Sequence, residues 1–178
     1  MSGIQLITRM DVSQAQSAFS RLAMAVSDTT PIMRAIGTGL VTSTQDRMDD
    51  GVGPDGGAWA PLNPTYAAGK KGPGILRERG MRGGLQGSVT YSAGRDQVAV
   101  GSNKIYAGIH QTGGVITPKG SGRLVFRLGN RVVHARSVTI PARPYLGVSS
   151  DDRDMIIDVV TGALDRAIGS GSSSPRRR

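Results

Sequence analysis

The chain has 178 residues with 22 Lys and Arg against 13 Asp and Glu, a formal net charge of +9, and its length suits one domain with a modest core. Aromatic residues are 4% of the chain and glycines number 26, which excludes a large aromatic core and leads us to expect stability drawn partly from neighbours. With no cysteine, two histidines and one glutamate, disulfides, thiolate metal sites and cysteine nucleophiles are excluded and acid–base chemistry has few candidates.

No run approaches the roughly 18 consecutive apolar residues that span a bilayer, and residues 1–10 lack a leader pattern. The expectation is a soluble protein made in a cytoplasm, with no membrane partner. Val12, Ala15, Phe19, Leu22 and Val26 then recur at steps of three and four, one face of an amphipathic helix over 11–26 with Asp11 as its N-cap. A second helix starts at Thr30-Pro31, a capping residue followed by proline at the first helical position. It carries Ile32, Ile36 and Leu40 toward Met48 and stops at Asp49-Asp50-Gly51. Gly37 and Gly39 cost it about 1 kcal/mol each relative to alanine, unless they permit close packing.

Residues 51–84 hold no period and are rich in Gly, Pro and Lys, a long loop of the functional or mobile kind. Trp59 lies inside it and is expected to pin the loop to the core rather than to meet a ligand. Alternation begins at Leu85, with Leu85, Val89 and Tyr91 on one strand face and Gln86, Ser88, Thr90 and Ser92 on the other; a turn at 93–96 leads into Val98 and Val100 as a hairpin. Tyr106, Ile109 and His110 sit one helical turn apart, followed by Gly113-Gly114, a pair that allows positive φ. The expectation there is a short helical turn whose histidine is hydrogen-bonded structurally. A second hairpin runs from Arg123 to Leu128, across Gly129-Asn130, into 132–140. In its first strand Arg123, Val125 and Arg127 alternate with Leu124, Phe126 and Leu128, so one face is arginine-lined and the other apolar.

Pro141-Ala142-Arg143-Pro144-Tyr145-Leu146-Gly147 is a stiff segment, because each proline pushes the preceding residue toward extended geometry. A last helix spans 150–168, with Ile156, Ile157, Val160, Leu164, Ala167 and Ile168 at helical spacing. Asp151, Asp152 and Asp154 at its start read as cap and dipole residues rather than a cation site. Residues 1–168 form the expected domain; 169–178, a Ser/Gly linker ending Arg176-Arg177-Arg178, has a composition that is disordered by itself.

Charge is unevenly placed: residues 56–148 carry thirteen bases against two acids, between mildly acidic flanks. Such a middle either meets phosphates or an acidic partner, or is a solvated face whose charges pair with the chain's own acidic helices. Arg123, Arg127, Arg131, Arg136, Arg176, Arg177 and Arg178 are the candidates for acidic-partner or DNA contacts. No G-x-x-x-x-G-K-[ST], G-x-S-x-G or H-E-x-x-H occurs, so phosphate-loop, hydrolase and zincin readings have no anchor. No enzyme, cofactor or metal is expected.

Gly53-Pro54-Asp55-Gly56 with Trp59-Ala60-Pro61-Leu62, Ile75-Leu76 with Gly80, Tyr106-Ala107 with His110-Gln111 and Gly113-Gly114, and residues 141–147 occur in that order. Together they resemble the phage virion morphogenesis family of Mu-like tailed phages and prophages, over roughly 11–168. The stretch 80–85 is longer than that pattern, and the Arg-rich tail lies outside it. The resemblance implies an α+β fold: a small, mostly antiparallel sheet of hairpins packed by N-terminal helices and a C-terminal helix. It implies a structural virion protein of the neck or upper tail, assembled in the host cytoplasm as a homo-oligomeric ring, a hexamer, between the head connector and the tail tube, with DNA passing through. Trp59, Tyr106, His110, Gly113, Gly114, Arg143, Pro144 and Tyr145 are then the candidates for holding loops and subunit contacts. A basic DNA-binding protein and a transient assembly factor remain the alternatives.

Overall fold

The computed structural model describes residues 13–78 and 84–169. In chain order these form α1 (Ser13–Ser27), α2 (Thr30–Asp50), α3 (Pro64–Gly69), a 3-10 turn (Gln86–Ser88), β1 (Val89–Ala93), β2 (Val98–Ser102), α4 (Ala107–Thr112), β3 (Gly114–Ile116), β4 (Leu124–Leu128), β5 (Arg131–Ala135), β6 (Val138–Ile140) and α5 (Ser150–Gly169). This is an α+β fold whose described strands pair antiparallel as three two-stranded ribbons: β1 with β2, β3 with β6 and β4 with β5.

Helix α2 is the hub, with the β1–β2 hairpin packed on it, α5 beside it, and α1 laid against α5. Its two interior glycines make the packing possible. A Cβ on Gly37 would lie 2.5 Å from the Tyr91 ring, and one on Gly39 would lie 2.7 Å from the Met155 sulfur, so close contact offsets the lost helix propensity. The helix ends where Gly51 turns left-handed at φ 72 and donates its N–H to the Arg47 carbonyl. Its start differs from the sequence expectation: Thr29 is the N-cap, its hydroxyl turns to Asp96 Oδ1 instead of capping the helix, and the Thr30 N–H is met by Asp28 Oδ1 at 3.0 Å. The Asp side chain folds back onto the amide two residues on, as Asp does in turns.

Helix α1 also departs from its pattern. Leu22 is half-buried, but Phe19 is 71% and Val26 60% exposed, because the apolar stripe faces away from α5. Arg21 ties the two helices together, donating from Nε to the Ala167 carbonyl at 3.0 Å and from Nη2 to that of Ile168, where the helix dipole favours a cation. Asp11 and Val12, the expected start of this helix, lie outside the described residues.

Two further elements were hidden by their length. Asn63-Pro64 opens α3 inside the expected loop, with Asn63 Oδ1 accepting from the amides of Thr65 and Tyr66. The expected single strand over 132–140 is two: β5 stays with β4, whereas β6 turns to pair with the three-residue β3, Gly114 opposite Ile140. Residues 114–140 thus form an arm, with β3–β6 at its base and the β4–β5 hairpin at its tip. Leu85–Ser88 is not strand. Its Gln86 is buried against α2, with Nε2 donating to the Gln45 carbonyl and, at 2.7 Å, to Asp49 Oδ1.

The core gathers Met48, Trp59, Leu76, Leu85, Val89, Ala107 and Tyr145, each large member worth about 1.5–3 kcal/mol of burial. Beside it lies a buried ion pair. Arg47 Nη1 donates to Asp152 Oδ2 at 2.8 Å, and Asp152 is 2% exposed. Asp152 also closes a reciprocal cap with Ser149: Oδ2 accepts the Ser149 N–H at 2.8 Å and Ser149 Oγ accepts the Asp152 N–H at 3.1 Å. Burial pushes the Asp152 carboxyl up, but hydrogen bonds from Ser149 and Ser43 and the Arg47 charge outweigh it, so its pKa lies below the usual 3.8.

A native pKa below the unfolded one means stability that is present above pH 3.8 and is lost as pH falls through the native value. Asp152→Asn removes that acid-sensitive component and leaves the Arg47 charge buried without its counterion. The expected loss is about 3–5 kcal/mol, read by urea unfolding at neutral pH, with Asp158→Asn on the exposed face of α5 as the near-neutral control.

Candidate functional site

Two prolines in 141–147 each lack an N–H and hold the chain extended, so this segment has no regular ladder and its polar groups are met by side chains from three directions. From α4, Gln111 serves as the missing strand: Oε1 accepts the amides of Tyr145 and Leu146, both at 3.0 Å, and Nε2 donates to the Leu146 carbonyl at 2.9 Å. The Arg143 amide donates to the His110 carbonyl at 2.7 Å. From the long loop, the Trp59 indole N–H donates to the Pro144 carbonyl at 2.9 Å. From α2, Arg47 Nη2 donates to the Gly147 carbonyl at 3.2 Å.

The segment reaches back with Arg143. Its buried guanidinium donates from Nε to the Ala60 carbonyl at 2.9 Å and from Nη2 to the Pro61 carbonyl at 3.0 Å, a two-pronged grip suited to arginine's fixed fork. Two glycines allow the surrounding chain to come close. A Cβ on Gly113, at φ 69, would lie 2.7 Å from the Ala142 nitrogen, and one on Gly147 would lie 2.6 Å from Pro54 Cγ. Gly114 likewise holds a positive φ, 155. Trp59, His110, Gly113, Gly114, Arg143, Pro144 and Tyr145 are therefore brought together around one strap, and Trp59 and Tyr145 are both buried in the core cluster.

His110 sits differently from expectation. Its carbonyl, not its ring, makes the structural bond to the strap, and its buried Nδ1 has no hydrogen-bond partner among the described residues. The ring stands edge-on to Tyr106, with centroids 6.0 Å apart. Burial, and then the neighbouring Arg143 charge, lower the His110 pKa from 6.5. The Tyr106 hydroxyl donates to Glu78 Oε1 at 3.0 Å, and burial followed by Glu78 raises its pKa. These rings border a cavity of about 610 Å³ between the strap, α3, residues 76–78 and the arm, with Leu62, Leu76, Phe126 and Ile140 in its wall. Leu76 reaches the core from a left-handed backbone at φ 57, a strain of about 1–3 kcal/mol that its burial offsets.

The basic candidates are scattered over the arm. In β4 the expected alternation holds: Leu124, Phe126 and Leu128 are half-buried, whereas Val125 and Arg127 are exposed. Arg127 lies opposite Val132, but Arg131 lies opposite Leu128 and so belongs to the other face. Arg123 and Arg136 are exposed just outside the strands, and Arg176, Arg177 and Arg178 lie outside the described residues. Self-pairing does not account for these arginines: the ion pairs among the described residues are Arg47–Asp152 and Arg77–Asp49, each with one member on α2 and neither on the arm. Gln111, Gln86 and Arg47, which hold the strap and α2 in place, carried no sequence signal beyond Gln111's position beside His110.

Arg143→Ala leaves the Ala60 and Pro61 carbonyls without their donors, an expected loss of about 1.5–3 kcal/mol, with faster amide exchange across 51–63 and little change in β1–β2. His110 held neutral below its unfolded pKa stabilises the fold above pH 6.5, and that contribution is lost as pH falls from 6.5 toward the native value. Unfolding curves from pH 7 to 5 are expected to show a shallower decline in His110→Asn than in the parent.

Comparison with known proteins finds relatives of the chain. The chain is 28% identical over 162 residues, 89% of its length and 94% of the relative's, to the putative capsid assembly protein G of Escherichia phage Mu. It is 29% identical over 154 residues, 84% and 91% of the two chains, to the Mu-like prophage FluMu G protein 2 of Haemophilus influenzae. No solved structure matches the chain significantly. The sequence profile of the phage virion morphogenesis family matches residues 10–165, a span that takes in the strap and every described helix and strand up to the last turn of α5: the chain belongs to the phage virion morphogenesis family.

Proposed function

We propose that this virion morphogenesis protein is a structural component of the neck or upper tail, assembling as a ring that completes the tail and joins it to the head. The observation that supports it is a division of labour in the fold. The strap knits the 51–63 loop, α4, α2 and the start of α5 into one unit, while the apolar stripe of α1 and the basic arm stay uncovered. A chain that spends its polar bonding on rigidity and leaves Phe19 and Val26 in water is built to finish burying itself against other copies or neighbouring rings. In that reading Trp59, Arg143 and Tyr145 set the shape of the subunit, and its edges make the contacts.

A second reading rests on the arm. Arg123, Arg127, Arg131 and Arg136 project from a hairpin whose own sequence has no acid between Asp96 and Asp151, and such a hairpin also suits the phosphates of DNA threading the lumen. The two roles are compatible in a ring.

Purified mature particles test the ring reading. A small fixed copy number at the head–tail junction, by quantitative mass spectrometry with image reconstruction, is the expected result, and Phe19→Asp with Val26→Asp is expected to fold normally yet leave heads and tails unjoined. Absence from mature particles would instead make the protein a transient assembly factor. A DNA contact would appear as a log-log salt slope of about −0.9 for each phosphate met.

A further inference from the structure

The outer face of α5 carries a charge pattern that no ion pair among the described residues meets. Asp151, Asp154, Asp158 and Asp165 are all exposed, and at about 100° per residue they fall within roughly 60° of helix circumference. Asp154 and Asp158 stand one turn apart, where like charges weaken a helix. Neither of the ion pairs among the described residues involves any of the four. Beside this stripe runs an apolar one, in which Ile157 is 61% and Ile168 52% exposed with Thr161 between them. The opposite side of the helix, with Asp152, faces α2.

The tip of the arm is the counterpart. On the exposed face of the β4–β5 hairpin, the register sets Arg127 opposite Val132 and Val125 opposite His134, with Val125 60% and Val132 55% exposed. Arg123 and Arg136 flank that face. Each surface therefore offers exposed β-branched residues beside a row of charge, acidic on α5 (where Arg153 borders Ile157 on the other side) and basic on the hairpin, so the rows have opposite signs.

We propose that the β4–β5 hairpin of one copy lies along the outer face of α5 in the next, with Val125 and Val132 on and around Ile157, and Arg123 and Arg127 on the Asp154–Asp158 stripe. The two surfaces belong to different parts of the chain, so the contact is head-to-tail, and a rotation that closes makes a ring. This rests on the ring reading above and names its subunit joint.

The absence of cysteine gives a direct test in the full-length chain. Val132→Cys in one preparation and Ile157→Cys in another, mixed under mild oxidation, are expected to form a disulfide-linked dimer of the two variants. Asp154→Arg with Asp158→Arg is expected to weaken self-association at least about tenfold in a chain that still folds, with only a small fall in thermal midpoint, since both positions are exposed and Asp154 alone lies near the start of α5 where the dipole favours an acid. Adding Arg123→Asp and Arg127→Asp to the same chain is expected to restore it. If the parent oligomerises and the reversed variants assemble equally well without the cross-link, this joint is wrong and the ring stands. A parent that remains a single chain both in solution and in particles would remove the ring reading and the joint with it. If Arg123→Asp and Arg127→Asp reduce retention of duplex DNA while leaving self-association unchanged, the hairpin faces the lumen and the joint is overturned.

Discussion

The buried guanidinium of Arg47 is the point on which the rest of the structure depends. It neutralises Asp152, which caps α5, and it donates to the carbonyl of Gly147 at the end of the strap. One side chain on α2 thereby fixes where the C-terminal helix begins and where the strap ends. Desolvating such a pair is costly, and its net contribution to stability is modest. Its structural consequence is large, since an uncompensated charge in either partner penalises any arrangement that separates α2 from α5.

The same logic recurs at Arg143. Irregular backbone inside a protein carries carbonyls and amides that no ladder satisfies, and a segment with two prolines has more of them than most. Gln111, Trp59, Arg47 and Arg143 supply side-chain partners in place of strands. A Gly- and Pro-rich loop is thereby held without becoming helix or sheet. With few aromatic residues to build a core, directional hydrogen bonds to backbone define the subunit where packing alone would leave it loose.

For a protein of virion morphogenesis, that rigidity has a use. Under the ring role proposed above, a subunit whose edges are set before it meets its neighbours avoids ordering a loop on docking, which would subtract from the binding free energy. The strap and its partners do the ordering within the chain. The apolar stripe of α1, the acidic face of α5 and the basic arm stay exposed, which is where the proposed assembly contacts fall.

Much of this was legible in the sequence, and the limits have physical causes. The periodicity of α2 and α5, the Gly51 stop, the β1–β2 turn, the alternation in β4 and the pinning role of Trp59 are local properties, written in spacing and side-chain type, and the ordered motifs from Gly53 to Gly147 sufficed to identify the family. Short elements escaped because β3 and α3 hold too few residues for a period to show. The two-strand division of 132–140 escaped because β-branched residues suit either partner equally. The direction of α1's apolar stripe was undecidable locally, since amphipathicity says that a face is buried but not against which body. The long-range partners of Arg143, Arg47 and Gln111 lie 34 to 105 residues away, and such pairings exist only once the chain has folded. What the sequence determined by itself was therefore which residues repeat, turn and cap; the tertiary structure alone decided which carbonyl each buried donor reaches, because that depends on distances between segments that no local pattern encodes.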